Sequence, residues 1–145
     1  MISICKMYEK SEINIKSILD KEDIDYSKIK QNILCAYENN QLLGFAGYEI
    51  KNNMAFLKTI NVIDKTLGMV LKDGLIKSLL NMADINGINI FMVKKYDEMS
   101  FYKNIGFNDL NNRDFLLDIN IDENEYLYIK LTDFFKNPCK NNKEY

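Results

Sequence analysis

Imidazole chemistry is closed to this chain, because its 145 residues include no histidine. That removes Ser-His-Asp and Cys-His nucleophiles, His-ligated zinc or iron, and any imidazole proton shuttle. Arg113 is the only arginine, so recognition of a phosphate falls to lysine ammonium groups and backbone N–H donors. Carboxylates and tyrosines remain for proton transfer. Tyr102 lies in Ser100-Phe101-Tyr102-Lys103-Asn104-Ile105-Gly106-Phe107, where it reads either as a core aromatic beside Phe101 or as a hydroxyl donor. Glu49 and Asp64 are the carboxylates nearest the fourth predicted strand, and each reads first as a solvated surface charge. The run Val62-Ile63-Asp64-Lys65-Thr66-Leu67-Gly68-Met69-Val70-Leu71-Lys72 turns out of that strand into a helical pattern.

Other chemistries are disfavoured. The acidic turn Asp122-Glu123-Asn124-Glu125 lacks the D-x-D-x-D-G spacing of a calcium loop, and no metal is expected. Formal net charge is −2 with the lysines scattered among acids, and the longest basic run is Lys94-Lys95, so neither DNA nor RNA is an expected partner. No apolar stretch approaches the ~20 residues of a membrane span. Cys5, Cys35 and Cys139 form no C-x-x-C and, with no signal peptide read at the start, are expected to be reduced intracellular thiols. Cys35, on a predicted strand, is expected to be buried and inert. The composition, rich in Ile, Asn, Lys and Tyr, points to a bacterial protein, and the expected compartment is the cytoplasm.

The elements that would hold these residues follow from periodicity. Residues 2–8 alternate as a first strand, Glu12 to Leu19 has helical spacing, and a short helix is expected over Tyr26 to Ile33. Strands at 33–38, 42–50 and 54–63 are joined by turns at Asn39-Asn40 and Lys51-Asn52-Asn53, giving three antiparallel strands in a row. Leu71, Leu75, Leu79, Met82 and Ala83 recur as the stripe of an amphipathic helix closed by Asn86-Gly87. A strand at 88–93 completes a βαβ unit, whose strands should be parallel. A short helix from about Asp97 to Asn104, stopped by Gly106, precedes strands near 114–121 and 126–132. One domain is expected over residues 1–136, with a loose polar tail over 137–145 that carries Pro138.

That order of elements resembles the GNAT N-acetyltransferase fold. Two motifs carry the resemblance, which spans about residues 1–132: Phe101-Tyr102 followed by Gly106-Phe107, similar to the family's F-Y-x-x-x-G-F, and the turn from Val62 to Lys72 that opens the long helix. The resemblance implies an α/β (α+β) fold with a mixed, mostly antiparallel central sheet. Strands four and five would be parallel and splayed around the long helix, with helices on both faces. It implies acetyl-CoA as cosubstrate, bound by the backbone of Ile60, Asn61 and Val62 and by the turn Leu67, Gly68, Met69, Val70, Leu71, Lys72 and Asp73. Tyr102 would reach the CoA sulfur and protonate the departing thiolate. The acceptor would be an amine of a small molecule or peptide, attacked directly, and homodimers are common in the resembled family.

The family's loop pattern R/Q-x-x-G-x-G/A falls on Leu67, Val70 and Lys72 here, leaving Gly68 as the loop's glycine. Lys72 then reads either as an ammonium contact to phosphate or as a solvated lysine, and Val70 as a residue that crowds an anion. Asn and Ala before F-Y are replaced by Lys95 and Glu98. A second reading is therefore a GNAT-like binding or regulatory module with weak or no CoA binding.

Overall fold

In a computed structural model, residues 1–96 and 98–136 are described, with Lys136 known by its backbone only. The expected tail at 137–145 and the first residue of the expected helix at Asp97 lie outside them. The elements are β1 (Ser3–Lys6), α1 (Glu12–Lys21), α2 (Tyr26–Ile29), β2 (Ile33–Glu38), β3 (Gln41–Lys51), β4 (Met54–Val62) and α3 (Gly68–Ile85). They continue with β5 (Ile90–Lys94), α4 (Met99–Ile105), β6 (Asn108–Asp109), β7 (Tyr126–Lys130) and α5 (Leu131–Lys136). Among the described residues seven strands form one sheet in the order β1-β2-β3-β4-β5-β7-β6. The β4–β5 pair is parallel and the other pairings are antiparallel. No helix among the described residues is long and apolar enough to cross a membrane.

Contacts divide the chain into two compact units, the first formed by residues 1–49 and 57–82 and the second by 50–56 and 83 onward. In the first unit the antiparallel hairpins follow from asparagine pairs. Asn39 and Asn40 take φ of 51° and 64°, and Asn52 and Asn53, in the second unit, take 50° and 62°. Two successive left-handed residues are what a tight turn between right-twisted strands demands, and asparagine tolerates that region better than most residues. Helices α1 and α2 cover one face of this unit, where Ile15, Leu19 and Ile29 join Ile33, Cys35, Tyr37 and Phe45. Helix α3 covers the other. A methyl group built on Gly74 of α3 would touch Ile4 of β1 at 3.3 Å, and one on Gly44 of β3 would stand 3.2 Å from Leu71.

In the second unit, Met54, Ala55 and Phe56 pair in parallel with Ile90, Phe91 and Met92. Strand β7 runs antiparallel beside β5, from Ile90↔Lys130 to Lys94↔Tyr126. Helix α3 ends as its sequence predicts. Gly87 is left-handed at φ 84°, its N–H donates to the Asp84 carbonyl at 3.0 Å, and that of Ile88 donates to the Ala83 carbonyl at 2.9 Å.

Three expectations are corrected. The short helix starting at Tyr26 stops at Ile29, and a single 3₁₀ turn, Lys30–Asn32, leads into β2. The last strand gives way to α5 at Leu131. Residues 114–121 form no strand. Their alternation is real: Phe115, Leu117, Ile119 and Ile121 pack against Met54, Phe56, Ile90, Met92, Leu110 and Tyr128. The edge of β7, however, is paired with β6, Asn108↔Tyr128 and Asp109↔Leu127, so the segment lies over the sheet instead of extending it. The lone arginine serves this segment. Arg113 donates to the carbonyls of Phe115 and Leu110 at 3.1 and 3.2 Å and pairs with Glu123.

Two glycines with opposite environments test this packing. A Cβ on Gly44 would stand 2.6 Å from the Asn61 carbonyl oxygen, so Gly44→Ala is expected to lower stability by ~1–3 kcal/mol through overpacking. In mid-helix Gly74 the only neighbour is the flexible end of Ile4. Gly74→Ala should therefore be neutral or stabilising, by up to ~1 kcal/mol from helix propensity. Urea midpoints of the two variants measure both. A second expectation concerns pH. Burial raises Cys35 from 9.0 to about 11, and raises Tyr26 and Tyr102 from 10.0 to about 12. The unfolded chain then loses protons that the native chain retains, so the urea midpoint should fall as pH rises from 9 to 12.

Candidate functional site

The candidate residues fall in both units, and each set is taken where it lies. In the first unit they follow the end of β4. The N–H groups of Ile63 and Asp64 both donate to the Leu43 carbonyl of β3, at 2.8 and 3.0 Å, which tethers the strand where it stops. Asp64 then folds the turn on itself: its carboxylate accepts from the Thr66 N–H at 3.1 Å and hydroxyl at 2.6 Å. Asp64 is thus a turn-forming residue. The Val70 N–H reaches back to the Leu67 carbonyl at 3.1 Å, and α3 begins at Gly68.

Helix geometry gives first-turn amides no acceptor within the helix itself and sets them at the positive end of the helix dipole. Gly68 takes φ +39°, and no atom lies within 4 Å of where its Cβ would stand. Val70 is 79% exposed. Leu71 is buried against Gly44. Lys72 is not the solvated lysine of one of its two sequence readings: it is 9% exposed, and burial lowers its pKa. Asp73 pairs with Lys77 one turn on, at 3.2 Å.

The C-terminal half of β4 carries a polar group that the sequence reading missed. Thr59 and Asn61, two residues apart and so on one face of the strand, meet the Glu22 carboxylate. The Thr59 hydroxyl donates to it at 2.8 Å, the Asn61 amide at 3.3 and 3.4 Å, and the same amide donates to the Thr59 hydroxyl at 2.8 Å. Glu22 is held from behind by the end of α1. Asp23 is left-handed at φ 58°, its N–H donates to the Asp20 carbonyl at 3.2 Å, and that of Ile24 donates to the Leu19 carbonyl at 2.9 Å. Leu19 and Ile24 bury the apolar contact that accompanies such a cap. Thr-x-Asn on a strand is a visible signal, but its partner lies far away in sequence. Glu49, expected at the surface, is buried.

In the second unit Tyr102 sits on α4, 5% exposed, with its ring edge-on to Phe101 and Phe107 at 5.1 and 5.6 Å. Phe107 in turn meets Phe91 of β5 at 6.3 Å. Gly106, at φ +133°, ends α4. Burial pushes the Tyr102 hydroxyl up to about 12, so it is a neutral donor at physiological pH. The Lys95 and Lys103 ammonium groups pair with Asp109 at 2.8 and 3.2 Å and hold its carboxyl below the usual range.

No model of a known protein family matches the chain, and no curated protein matches it significantly. Solved structures do. A GNAT-family N-acetyltransferase of Escherichia coli in complex with CoA superposes with a TM-score of 0.68 at 15% identity, covering 92% of this chain and 82% of that one. An acetyltransferase of the GNAT family from Staphylococcus aureus Mu50 gives 0.65 at 18% identity over 90% of this chain and 99% of that one. The ribosomal-protein-S18-alanine N-acetyltransferase of Escherichia coli gives 0.65 at 12% identity over 90% and 94%. The chain has the fold of the GNAT N-acetyltransferases.

Proposed function

We propose that the chain is an acetyl-CoA-dependent N-acyltransferase that moves an acetyl group onto an amine by direct attack. The observation that carries this reading is the opening of α3 at Gly68, where φ is +39° and no atom lies within 4 Å of its Cβ position, with the first-turn amides at the positive end of the helix dipole. A pyrophosphate needs donors, positive helix dipole and room, and the open space around Gly68 offers the room. The residues therefore fit the cosubstrate. The likeness to a structure that binds CoA supports the same reading.

Bound acetyl-CoA supplies an activated thioester, so positioning and charge stabilisation remain for the chain. The backbone of Ile60, Asn61 and Val62 lines the pantetheine arm, and the turn from Leu67 to Asp73 receives the phosphates. Tyr102 keeps its proton at Oη more tightly than a free thiol of pKa ~8.5 would. Its work is to donate a hydrogen bond to sulfur as charge develops, without full transfer. Glu22, fixed by Thr59 and Asn61, accepts a hydrogen bond or a proton from the incoming amine. The alternative, a binding or regulatory module, rests on Leu67, Val70 and Lys72 replacing the family's loop residues.

Acetyl-CoA at 100 times its dissociation constant is expected to stabilise the protein by about 2.7 kcal/mol, read as a thermal shift. No shift at millimolar ligand favours the module. With turnover in hand, Tyr102→Phe should lower kcat by about 10²-fold, the cost of losing one donor to a developing anion, with little change in acetyl-CoA affinity. Glu22→Gln should lower kcat/KM for the amine by about 10²-fold while the KM for acetyl-CoA holds. Equal loss for both substrates would assign Glu22 to folding.

A further inference from the structure

Two thiols far apart in the sequence meet across a strand pair. Cys5 of β1 stands directly opposite Cys35 of β2, in the register Ile4↔Ala36, Cys5↔Cys35, Lys6↔Leu34. Opposed residues of an antiparallel pair present their side chains to the same face. Both thiols accordingly meet one apolar cluster, to which Cys35 belongs and against which Cys5 packs. Opposed Cα atoms in such a ladder stand about 4.5 or 5.5 Å apart, and a disulfide accepts about 4.4–6.8 Å. The Cβ atoms of a disulfide approach to about 3.5–4.5 Å, a little closer than in an unlinked pair. β1 can yield that distance, being four residues long and at the edge of the sheet with one neighbouring strand.

We propose that Cys5 and Cys35 form a reversible intramolecular disulfide site whose oxidant is hydrogen peroxide. Exposure assigns the order. Cys5 is half-buried and Cys35 is buried, so peroxide meets Cys5 first. The Cys5 sulfur attacks a peroxide oxygen, the O–O bond breaks, and Cys5 becomes a sulfenic acid as one water leaves. The Cys35 sulfur then attacks the Cys5 sulfur and forms the S–S bond. The displaced hydroxyl departs as a second water with the Cys35 proton. Two thiols and one peroxide thus give one disulfide and two waters, the electron pair from sulfur reducing the O–O bond. The closed loop encloses α1 and α2, which the bond ties to the edge strand.

The test uses the full chain, which also carries Cys139. After incubation with hydrogen peroxide, free thiols are blocked and peptides are mapped without reductant. A Cys5–Cys35 linked peptide, a thiol count falling from three to one, and a urea midpoint that rises on oxidation and returns on reduction are expected. Cys139→Ser should give the same linkage and Cys5→Ser none. Pairing of Cys139 with either thiol, covalent dimers, or Cys5 driven to sulfinic acid beside a free Cys35 would overturn the proposal.

Discussion

The missing side chain at residue 44 governs the first unit. With a hydrogen in place of a methyl group on β3, the Asn61 carbonyl can approach to a distance that a Cβ would reduce to 2.6 Å. The neighbouring Leu43 carbonyl then takes the N–H groups of both Ile63 and Asp64. Those two bonds set where β4 stops, the Asp64 turn sets how sharply the chain reverses, and Leu71 closes over Gly44 from α3. The first-turn amides of α3 owe their placement to that close approach. A packing constraint in the sheet thereby positions the start of α3.

The same stretch of β4 arranges the polar chemistry of a chain without imidazole. Thr59 and Asn61 recruit a carboxylate from the end of α1, and the left-handed Asp23 keeps that carboxylate in place. In the second unit, burial among aromatic rings keeps the Tyr102 hydroxyl protonated. Desolvation disfavours its anion, so the residue is a donor of hydrogen bonds and a poor source of protons. Arg113 is occupied by two carbonyls and Glu123. Phosphate recognition by this chain would accordingly rest on backbone donors, whose placement depends on fold more than on residue type.

Local conformational preference made much of the architecture legible. Asparagine pairs mark both hairpin turns, Gly87 and Gly106 end helices at positive φ, and the leucine stripe of α3 is buried from Leu71 to Leu79. These features depend on near neighbours, so a sequence window contains their causes. The segment 114–121 shows the boundary of that method. Its alternation correctly identifies which side chains are buried, but a strand also needs a free edge, and β6 already pairs with β7. Lys72 is buried where one of its readings had it solvated, because helix phase relative to the sheet is set by packing at Gly44.

From the sequence alone came the exclusion of imidazole chemistry, the order of strands and helices from β1 to α4, and the tyrosine and turn that carry the resemblance to GNAT enzymes. Tertiary structure decided which distant residues meet: Glu22 with Thr59 and Asn61, and Cys5 with Cys35. Turn and helix signals act over a few residues, whereas these encounters depend on sheet register and on a helix cap packed against a strand. Register and packing are properties of the whole folded chain, so no local pattern records them.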